Sequence, residues 1–178
     1  TTFPINLFLH NKLPQLTDIQ LYDNKITKID FKDEEILLLQ KLKTLNLSTN
    51  LYLDYISPNF ILNNLIHLEI NLTNINYDII NNIITNNTNL EYLSLNNLKF
   101  YSQNDKKLTT IPKNIYKFTK LKKLCLSNNK IKLLNYNLFK LYNLNILILS
   151  SNNITIIPNE IENLISLTYL SFNNNNIT

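Results

Sequence analysis

Apolar residues recur along the chain in a fixed order that appears seven times. Leu, Ile or Phe occupies the first, fourth and sixth positions of the pattern L-x-x-L-x-L-x-x-N-x-I, and mostly polar residues separate them. The copies, which we number as repeats one to seven, begin at Leu16, Leu42, Leu65, Leu90, Leu121, Leu144 and Leu167. Successive starts lie 26, 23, 25, 31, 23 and 23 residues apart. A period of this length predicts an array of stacked structural units.

Within each repeat the inward and outward positions alternate, which is the period of a β-strand with one buried face. Positions three to seven are therefore predicted to form a short strand, with positions four and six pointing inward. Such a strand cannot bury its apolar face by itself, so we expect the seven strands to stack side by side as a parallel sheet.

The residues between the strands are expected to return along the opposite side of the array. Asp78, followed by an apolar stripe of isoleucines, predicts the start of a short helix in repeat three. A second helix is expected to begin at Asp30 or Asp33 and to run to Leu39. The two Ile-Pro segments lack such a stripe, and proline fixes φ, so extended or single-turn connections are expected there.

Asparagine at position nine is the expected end of each strand. Its side chain can bond the turn backbone as donor and acceptor, and asparagine tolerates the left-handed backbone that glycine usually provides. Since the chain has no glycine, we expect asparagine to replace it at the bends. The predicted structural column consists of Asn24, Asn50, Asn129, Asn152 and Asn175. Thr73 and Leu98 interrupt this column in repeats three and four.

These repeats resemble the leucine-rich-repeat family over nearly the whole chain. The segments that begin at Ile111-Pro112 and Ile157-Pro158 are similar to the 23-residue class of intracellular Ras-group-related leucine-rich-repeat scaffolds. The resemblance implies an α/β solenoid: a curved horseshoe with a parallel β-sheet on its concave face and short helices or extended segments on its convex face. We expect one such domain over residues 1–178, and a longer parent chain, because residue 178 lies inside a repeat.

The outward positions of the strands form the predicted binding surface for another protein. Most of them are small and polar, but repeat six places two isoleucines there, with cysteine and tyrosine in the neighbouring repeats. An apolar centre inside a polar rim is typical of interface hot spots. The candidate contact residues are Tyr92, Lys123, Cys125, Ile146, Ile148 and Tyr169. Among them, Cys125 is expected to present a small surface side chain.

The missing residue types exclude several kinds of chemistry. Without glycine or arginine, the chain cannot form a P-loop, a dinucleotide-binding fingerprint, a nucleophile elbow or an arginine finger. His10 and His67 lack further ligands at metal-binding spacing, so we expect no metal site. Because the motifs named above are missing, we also expect no cofactor and no catalytic residue. No apolar run approaches the ~20 residues of a bilayer span. We also expect no small-molecule substrate.

Charge is distributed unevenly along the chain. Ten lysines and no acidic residue fall within residues 106–140, whereas the formal net charge of the whole chain is +4. A basic block can attract phosphates. Most of these lysines fall on predicted convex or edge surfaces, however, and the absence of arginine removes bidentate phosphate contacts, so nucleic-acid binding is not the favoured interpretation.

Three questions stay open in the sequence. The chain could instead be a structural or adhesion module of a larger secreted or surface protein, or the regulatory arm of an enzyme located elsewhere in its parent chain. The insertion around residues 101–108 is either a tolerated loop or an arm that closes over the partner. A single cysteine, Cys125, favours a reducing compartment, so we expect a cytoplasmic location.

Overall fold

The computed structural model describes residues 2–7, 13–98 and 108–178. His10 lies outside the described residues, and so does the predicted insertion loop apart from Leu108. Their predicted roles therefore stay predictions.

Every repeat contributes one strand to a parallel sheet, as predicted. In chain order the strands of the described residues are β1 (Asp18–Gln20), β2 (Lys28–Ile29), β3 (Thr44–Asn46), β4 (Tyr55–Ile56), β5 (His67–Glu69), β6 (Tyr92–Ser94), β7 (Lys123–Cys125), β8 (Ile146–Ile148) and β9 (Tyr169–Ser171). The main sheet has the order β1-β3-β5-β6-β7-β8-β9, and β2 pairs with β4 on the return side. The predicted α/β solenoid is confirmed.

The strands are shorter than predicted, because they cover positions three to five rather than three to seven. Backbone bonding nevertheless continues past the strand ends. The Leu21 N–H donates to the Asn46 carbonyl at 2.8 Å, and the Asp23 N–H donates to the Ser48 carbonyl at 2.9 Å. The extra bonds tie each turn to the next repeat and so extend the parallel stacking beyond the strands themselves.

The inward leucines form one continuous apolar core. Leu45, Leu68, Leu93, Leu124 and Leu147 occupy position four of successive repeats and are fully buried. Burial decreases at the end of the described array, where Leu170 at the same position is 40% exposed. The interior repeats therefore bury their apolar faces against both neighbours, whereas repeat seven has a described neighbour on one side.

Asparagine side chains of position nine connect adjacent repeats through the interior. The Asn152 amide Nδ2 donates to the carbonyls of Leu149 in its own repeat, at 2.9 Å, and Leu126 in the preceding one, at 3.0 Å. Its Oδ1 accepts from the Ile131 N–H at 3.0 Å. Asn50, Asn129 and Asn175 make the corresponding three bonds. Asn24 is exposed and bonds within its own repeat.

The left-handed residue of each turn occupies position eight, so the expectation that the column asparagines adopt this conformation is wrong. Position eight has φ between 51° and 63° in all seven repeats. Its occupants are Asp23, Thr49, Leu72, Asn97, Asn128, Ser151 and Asn174. Asparagine at position nine serves as a bridge between turns, and a variety of residues accept the positive φ at some steric cost.

The return segments contain two α-helices within the described residues, α1 (Asp33–Leu38) and α2 (Tyr77–Asn86). The prediction that Asp78 caps the helix of repeat three is wrong, because Asn76 is the cap residue and its side chain accepts the Ile79 N–H at 3.0 Å. Single-turn 3-10 helices directly follow Pro112 and Pro158, as predicted. They cover Lys113–Lys117 and Asn159–Asn163, and a third covers Tyr136–Lys140.

Candidate protein-binding surface

The parallel register arranges the outward side chains of the sheet in rows that cross the strands. We call these rows together the concave surface. Position three forms the row Asp18, Thr44, His67, Tyr92, Lys123, Ile146 and Tyr169. Position five forms the row Gln20, Asn46, Glu69, Ser94, Cys125, Ile148 and Ser171.

An aromatic stack occupies the centre of the concave surface. The imidazole of His67 lies parallel to the Tyr92 ring, with centroids 3.9 Å apart and planes at 11°. On the other side of the stack, the Lys123 ammonium lies 4.9 Å from the Tyr92 centroid. Glu69 Oε1 is 2.8 Å from His67 Nε2. Stacking, a cation-π contact and a hydrogen bond thus hold these four side chains across three adjacent strands.

An apolar patch lies beside this stack toward the end of the array. Ile146 and Ile148 are half-buried on β8, and Tyr169 on β9 is 53% exposed. Ile146 pairs in register with Lys123 on one side and Tyr169 on the other. The stack and the patch therefore form one continuous aromatic and apolar surface over β5 to β9. Five of the six predicted contact residues contribute to it.

Part of the chain matches a known protein family. Residues 119–177 match the leucine rich repeat family, and the same strand, turn and inward leucines recur through the described repeats that precede them. The chain has the leucine-rich-repeat fold. No sequence among the curated proteins is significantly similar to it.

Three solved structures with this repeat fold each align with 99% of the present chain. An internalin from Listeria monocytogenes is 22% identical with a TM-score of 0.62, and a leucine-rich-repeat protein from Leptospira interrogans is 22% identical with a TM-score of 0.52. The ectodomain of the plant membrane receptor kinase GASSHO1/SCHENGEN3 from Arabidopsis thaliana, in complex with CASPARIAN STRIP INTEGRITY FACTOR 2, is 28% identical with a TM-score of 0.70. The chain covers 52%, 59% and 20% of these three chains, respectively.

Cys125 differs from the sequence expectation. Its side chain belongs to the concave side of the repeat sheet but is only 4% exposed, so the expected surface cysteine is wrong. The small thiol is flanked by Ser94 and Ile148 in register, and Tyr92 lies on the strand next to it. Larger neighbours therefore cover it, and it cannot contribute substantial contact area to a partner.

Burial also raises the pKa of two ionisable groups at this point, Tyr92 and Cys125. Desolvation raises the pKa of Tyr92 to about 12, with the nearby Cys125 and Glu69 acting in the same direction. Desolvation likewise raises the pKa of the Cys125 thiol, although the Lys123 charge opposes the shift. At physiological pH both groups retain their protons, so Tyr92 presents a neutral phenol and Cys125 an unreactive thiol.

Sequence reasoning missed the roles of His67 and Glu69. It considered His67 as a metal ligand and as one of the outward residues of the sheet, but it did not combine His67 with Tyr92, which occupies position three of the next repeat. That shared position was the available signal, but ring stacking also depends on side-chain rotamers that the pattern does not give. No group of three or more His, Cys, Asp or Glu residues is arranged to hold a metal within the described residues.

Lys106 and Lys107 lie outside the described residues, and most of the other lysines of the basic block are spread around the solenoid rather than gathered on the concave surface. Lys113 and Lys117 lie on a return-side 3-10 helix, and Lys140 approaches the Tyr136 ring at 4.6 Å on the next one. On the other side, Lys122 pairs with Glu91 at 2.8 Å. Over the same described ranges, no helix is long and apolar enough to cross a membrane.

Proposed function

We propose that the chain is a non-catalytic interaction module that binds a protein partner through its concave surface. The observation that carries the proposal is the continuous aromatic and apolar surface formed by the His67–Tyr92–Lys123 stack and the Ile146, Ile148 and Tyr169 patch. Aromatic and aliphatic anchors surrounded by polar side chains are the usual composition of an interface hot spot. The parallel sheet holds these anchors on rigid backbone, which lowers the entropy cost of binding.

The shape of the surface favours a macromolecular partner. Strands spaced about 4.8 Å apart and contacted over roughly 17 Å give a sheet area on the order of 500 Å². A standard stable interface uses about 800 Å² per partner, so adjoining loops must contribute to a tight complex. The plant receptor kinase ectodomain, which was solved in complex with CASPARIAN STRIP INTEGRITY FACTOR 2, supports a binding role for a repeat array of this kind.

The chemistry of the concave centre supports a non-catalytic role. A catalytic cysteine or tyrosine needs a depressed pKa or an adjacent base that removes its proton. Here the pKa values of Cys125 and Tyr92 are both raised. His67 already bonds Glu69 and stacks on Tyr92. These side chains are therefore suited to contact and shape rather than to proton transfer.

The substitution Ile148→Asp tests the proposal. A charge placed within the apolar patch would have to be desolvated by the partner, so we expect binding to weaken at least tenfold. Ile156→Asp is the matched control, because Ile156 belongs to the same repeat but lies on the return side, where it is 64% exposed. A partner captured by the wild-type chain would be purified, and its affinity for each variant measured by calorimetry.

Tyr169→Asp provides a second variant in case Ile148→Asp disturbs the fold, because Tyr169 is more exposed. Circular dichroism must show the same spectrum and melting temperature for each variant used. Loss of binding in Ile148→Asp and Tyr169→Asp, with retention in Ile156→Asp, supports the concave surface. Equal binding by all three variants, or equal loss in all three, contradicts it.

A further inference from the structure

A groove runs along one edge of the main sheet, where the strands begin. Its volume is about 520 Å³, and it lies between two rows of side chains that come from successive repeats. One row precedes each repeat and consists of Lys41, Asn64, Asn89 and Lys120, with Asn63 beside it. The other row occupies position two and consists of Thr17, Lys43, Ile66 and Glu91. We call this feature the edge groove.

Three exposed lysines make the edge groove basic. Lys41 directly precedes repeat two and Lys43 is its second residue, whereas Lys120 directly precedes repeat five, so the solenoid brings together charges that are distant in sequence. Glu91 is the acidic residue of the lining, and its Oε2 lies 2.8 Å from the Lys122 ammonium. Since that carboxylate is already paired, the positive charge of the three lysines dominates the groove.

Hydrogen bonds between repeats hold the lining in place. The Asn64 amide donates to the Gln40 carbonyl at 2.5 Å, and the Asn89 amide donates to the Asn63 carbonyl at 2.7 Å. The Lys120 ammonium donates to Asn89 Oδ1 at 2.7 Å. The half-buried Ile66 lies between the basic ends. The groove is thus preformed, elongated across the strands and basic at both ends, and its middle contains the apolar Ile66 beside asparagines and the paired Glu91.

We propose that the edge groove binds an extended acidic segment of a protein, with two carboxylates about four residues apart. The lysines at its ends belong to the β3 and β7 rungs, which are three strand spacings apart in the order β3-β5-β6-β7. At about 4.8 Å per spacing this is ~14 Å, and an extended chain rises about 3.4 Å per residue. Two acidic side chains at i and i+4 therefore match the two basic ends, with an apolar side chain between them over Ile66.

The lining favours a protein segment over a nucleic acid. A nucleic acid would place a phosphate at every nucleotide along the groove, including beside the Glu91 carboxylate and over the apolar Ile66. A peptide with spaced carboxylates and an apolar centre meets each of these features. This site uses none of the candidate contacts on the concave surface, so it goes beyond the binding proposed there and does not depend on it.

Titration of the isotopically labelled chain with short peptides, followed by NMR, tests the edge groove. The probe is Ac-Glu-Ser-Leu-Ser-Glu-NH2, in which the leucine lies two residues from each glutamate and therefore faces the same side of an extended chain. The comparison peptides are its Gln-for-Glu version and Ac-Ser-Ser-Leu-Glu-Glu-NH2, in which the two carboxylates are adjacent. We expect the probe to shift the backbone amides of Thr17, Lys43, Ile66 and Glu91. The adjacent-Glu peptide should bind at least fivefold more weakly, and the Gln peptide should not bind measurably.

Matched lysine variants separate a shaped site from general attraction. The triple substitution Lys41→Gln, Lys43→Gln and Lys120→Gln should weaken probe binding at least tenfold. The control Lys32→Gln, Lys113→Gln and Lys132→Gln removes the same charge from exposed positions outside the groove and should leave probe binding within twofold. Lys43→Gln is a milder variant, expected to weaken binding about threefold, if the triple variant loses its native circular-dichroism spectrum.

Four results would overturn the proposal: no amide shifts with the probe, equal binding of the adjacent-Glu peptide, equal losses in both triple variants, or tighter binding of the oligonucleotide dT8 at the same amides. The last result would assign the groove to nucleic acid. Ile148→Asp should bind the probe normally, so failure of the concave-surface proposal and failure of this one give different outcomes.

Discussion

Two regions of the molecule hold neighbouring turns together on opposite sides of the sheet. In repeats five to seven the connecting side chains lie in the interior, whereas around repeats three and four they lie on the concave side. In repeats five to seven, Asn129, Asn152 and Asn175 reach the interior and bond the backbone of the preceding repeat. In repeats three and four the same column holds Thr73 and Leu98, both fully buried. The Thr73 hydroxyl donates to the Ile70 carbonyl of its own repeat, at 3.1 Å, and among the described residues it has no bond to the preceding repeat like those of the column asparagines. The interior connection is therefore reduced there.

Repeats two to five compensate with polar side chains on the concave side. Asn71 Oδ1 accepts from the Asn96 N–H at 2.8 Å and from Ser94 Oγ at 2.7 Å. Asn96 Oδ1 then accepts from the Ser127 N–H at 2.6 Å, and the Asn71 N–H donates to Ser48 Oγ at 3.2 Å. We call Ser48, Asn71, Asn96 and Ser127 the position-seven row. It connects four repeats in sequence.

The difference bears on function as well as on stability. Polar groups of the position-seven row already bond one another, so a partner gains little from replacing those bonds. The neighbouring His67–Tyr92–Lys123 stack and the apolar patch of β8 and β9 offer contacts without that competition. The concave side of the sheet thus holds the position-seven row, which stabilises the solenoid, and the concave surface at positions three and five, which remains suited to binding.

The largest expected effect comes from Asn152→Ala in the interior column. This change leaves the carbonyls of Leu126 and Leu149 and the N–H of Ile131 without their buried partner. Each unsatisfied buried group costs about 1 kcal/mol or more, so we expect the free energy of unfolding to fall by roughly 3 kcal/mol. Urea denaturation followed by circular dichroism measures it. Asn153→Ala, at the exposed neighbouring position, should change stability by less than ~0.5 kcal/mol.

A smaller effect is expected from Asn71→Ala in the position-seven row. Its partners are only part-buried, and water can replace some of the lost bonds, so a loss of about 1 kcal/mol is expected. Asn173→Ala is the control, because Asn173 is exposed at the same position of repeat seven. If Asn71→Ala lost as much stability as Asn152→Ala, the position-seven row and the interior column would contribute equally, which would contradict the expected difference between them.

The fold could be predicted from the sequence to a large extent, because it depends on the apolar period. Leucines at position four specify the inward face wherever they occur, and the strands of repeats three and four form despite Thr73 and Leu98. The β2-β4 pairing on the return side was not predicted, because strands of two residues carry no recognisable alternation. Asn87 was also missed. It is fully buried after α2, where it bonds the Phe60 carbonyl at 2.9 Å and the Leu62 N–H at 2.8 Å.

The binding surfaces were less predictable, since they depend on alignment between repeats of unequal length. Burial of Cys125 follows from the size of its neighbours on adjacent strands, which the repeat pattern of its own strand does not give. The edge groove is lined by Lys41 and Lys43 at one end and by Lys120 at the other. The unusually long 31-residue spacing between the starts of repeats four and five lies between them in the sequence and hides their alignment. Along the sequence, lysines cluster within residues 106–140, so Lys41 and Lys43 do not stand out as part of a basic site.

An effect as small as that of Asn71→Ala but of opposite sign is the gain predicted for Leu72→Asn in repeat three. Leu72 has φ of 54° at position eight, where a leucine side chain meets the steric cost of the left-handed region, about 1–2 kcal/mol, which asparagine largely avoids. We expect Leu72→Asn to raise the free energy of unfolding by about 1 kcal/mol. Asn97→Leu makes the reverse change at φ of 51° in repeat four and should lower it by a similar amount. If neither variant changes the urea midpoint, the turn conformation contributes nothing to the difference between repeats. Opposite shifts of similar size would mean that repeat three loses stability through its turn residue as well as through the interrupted column.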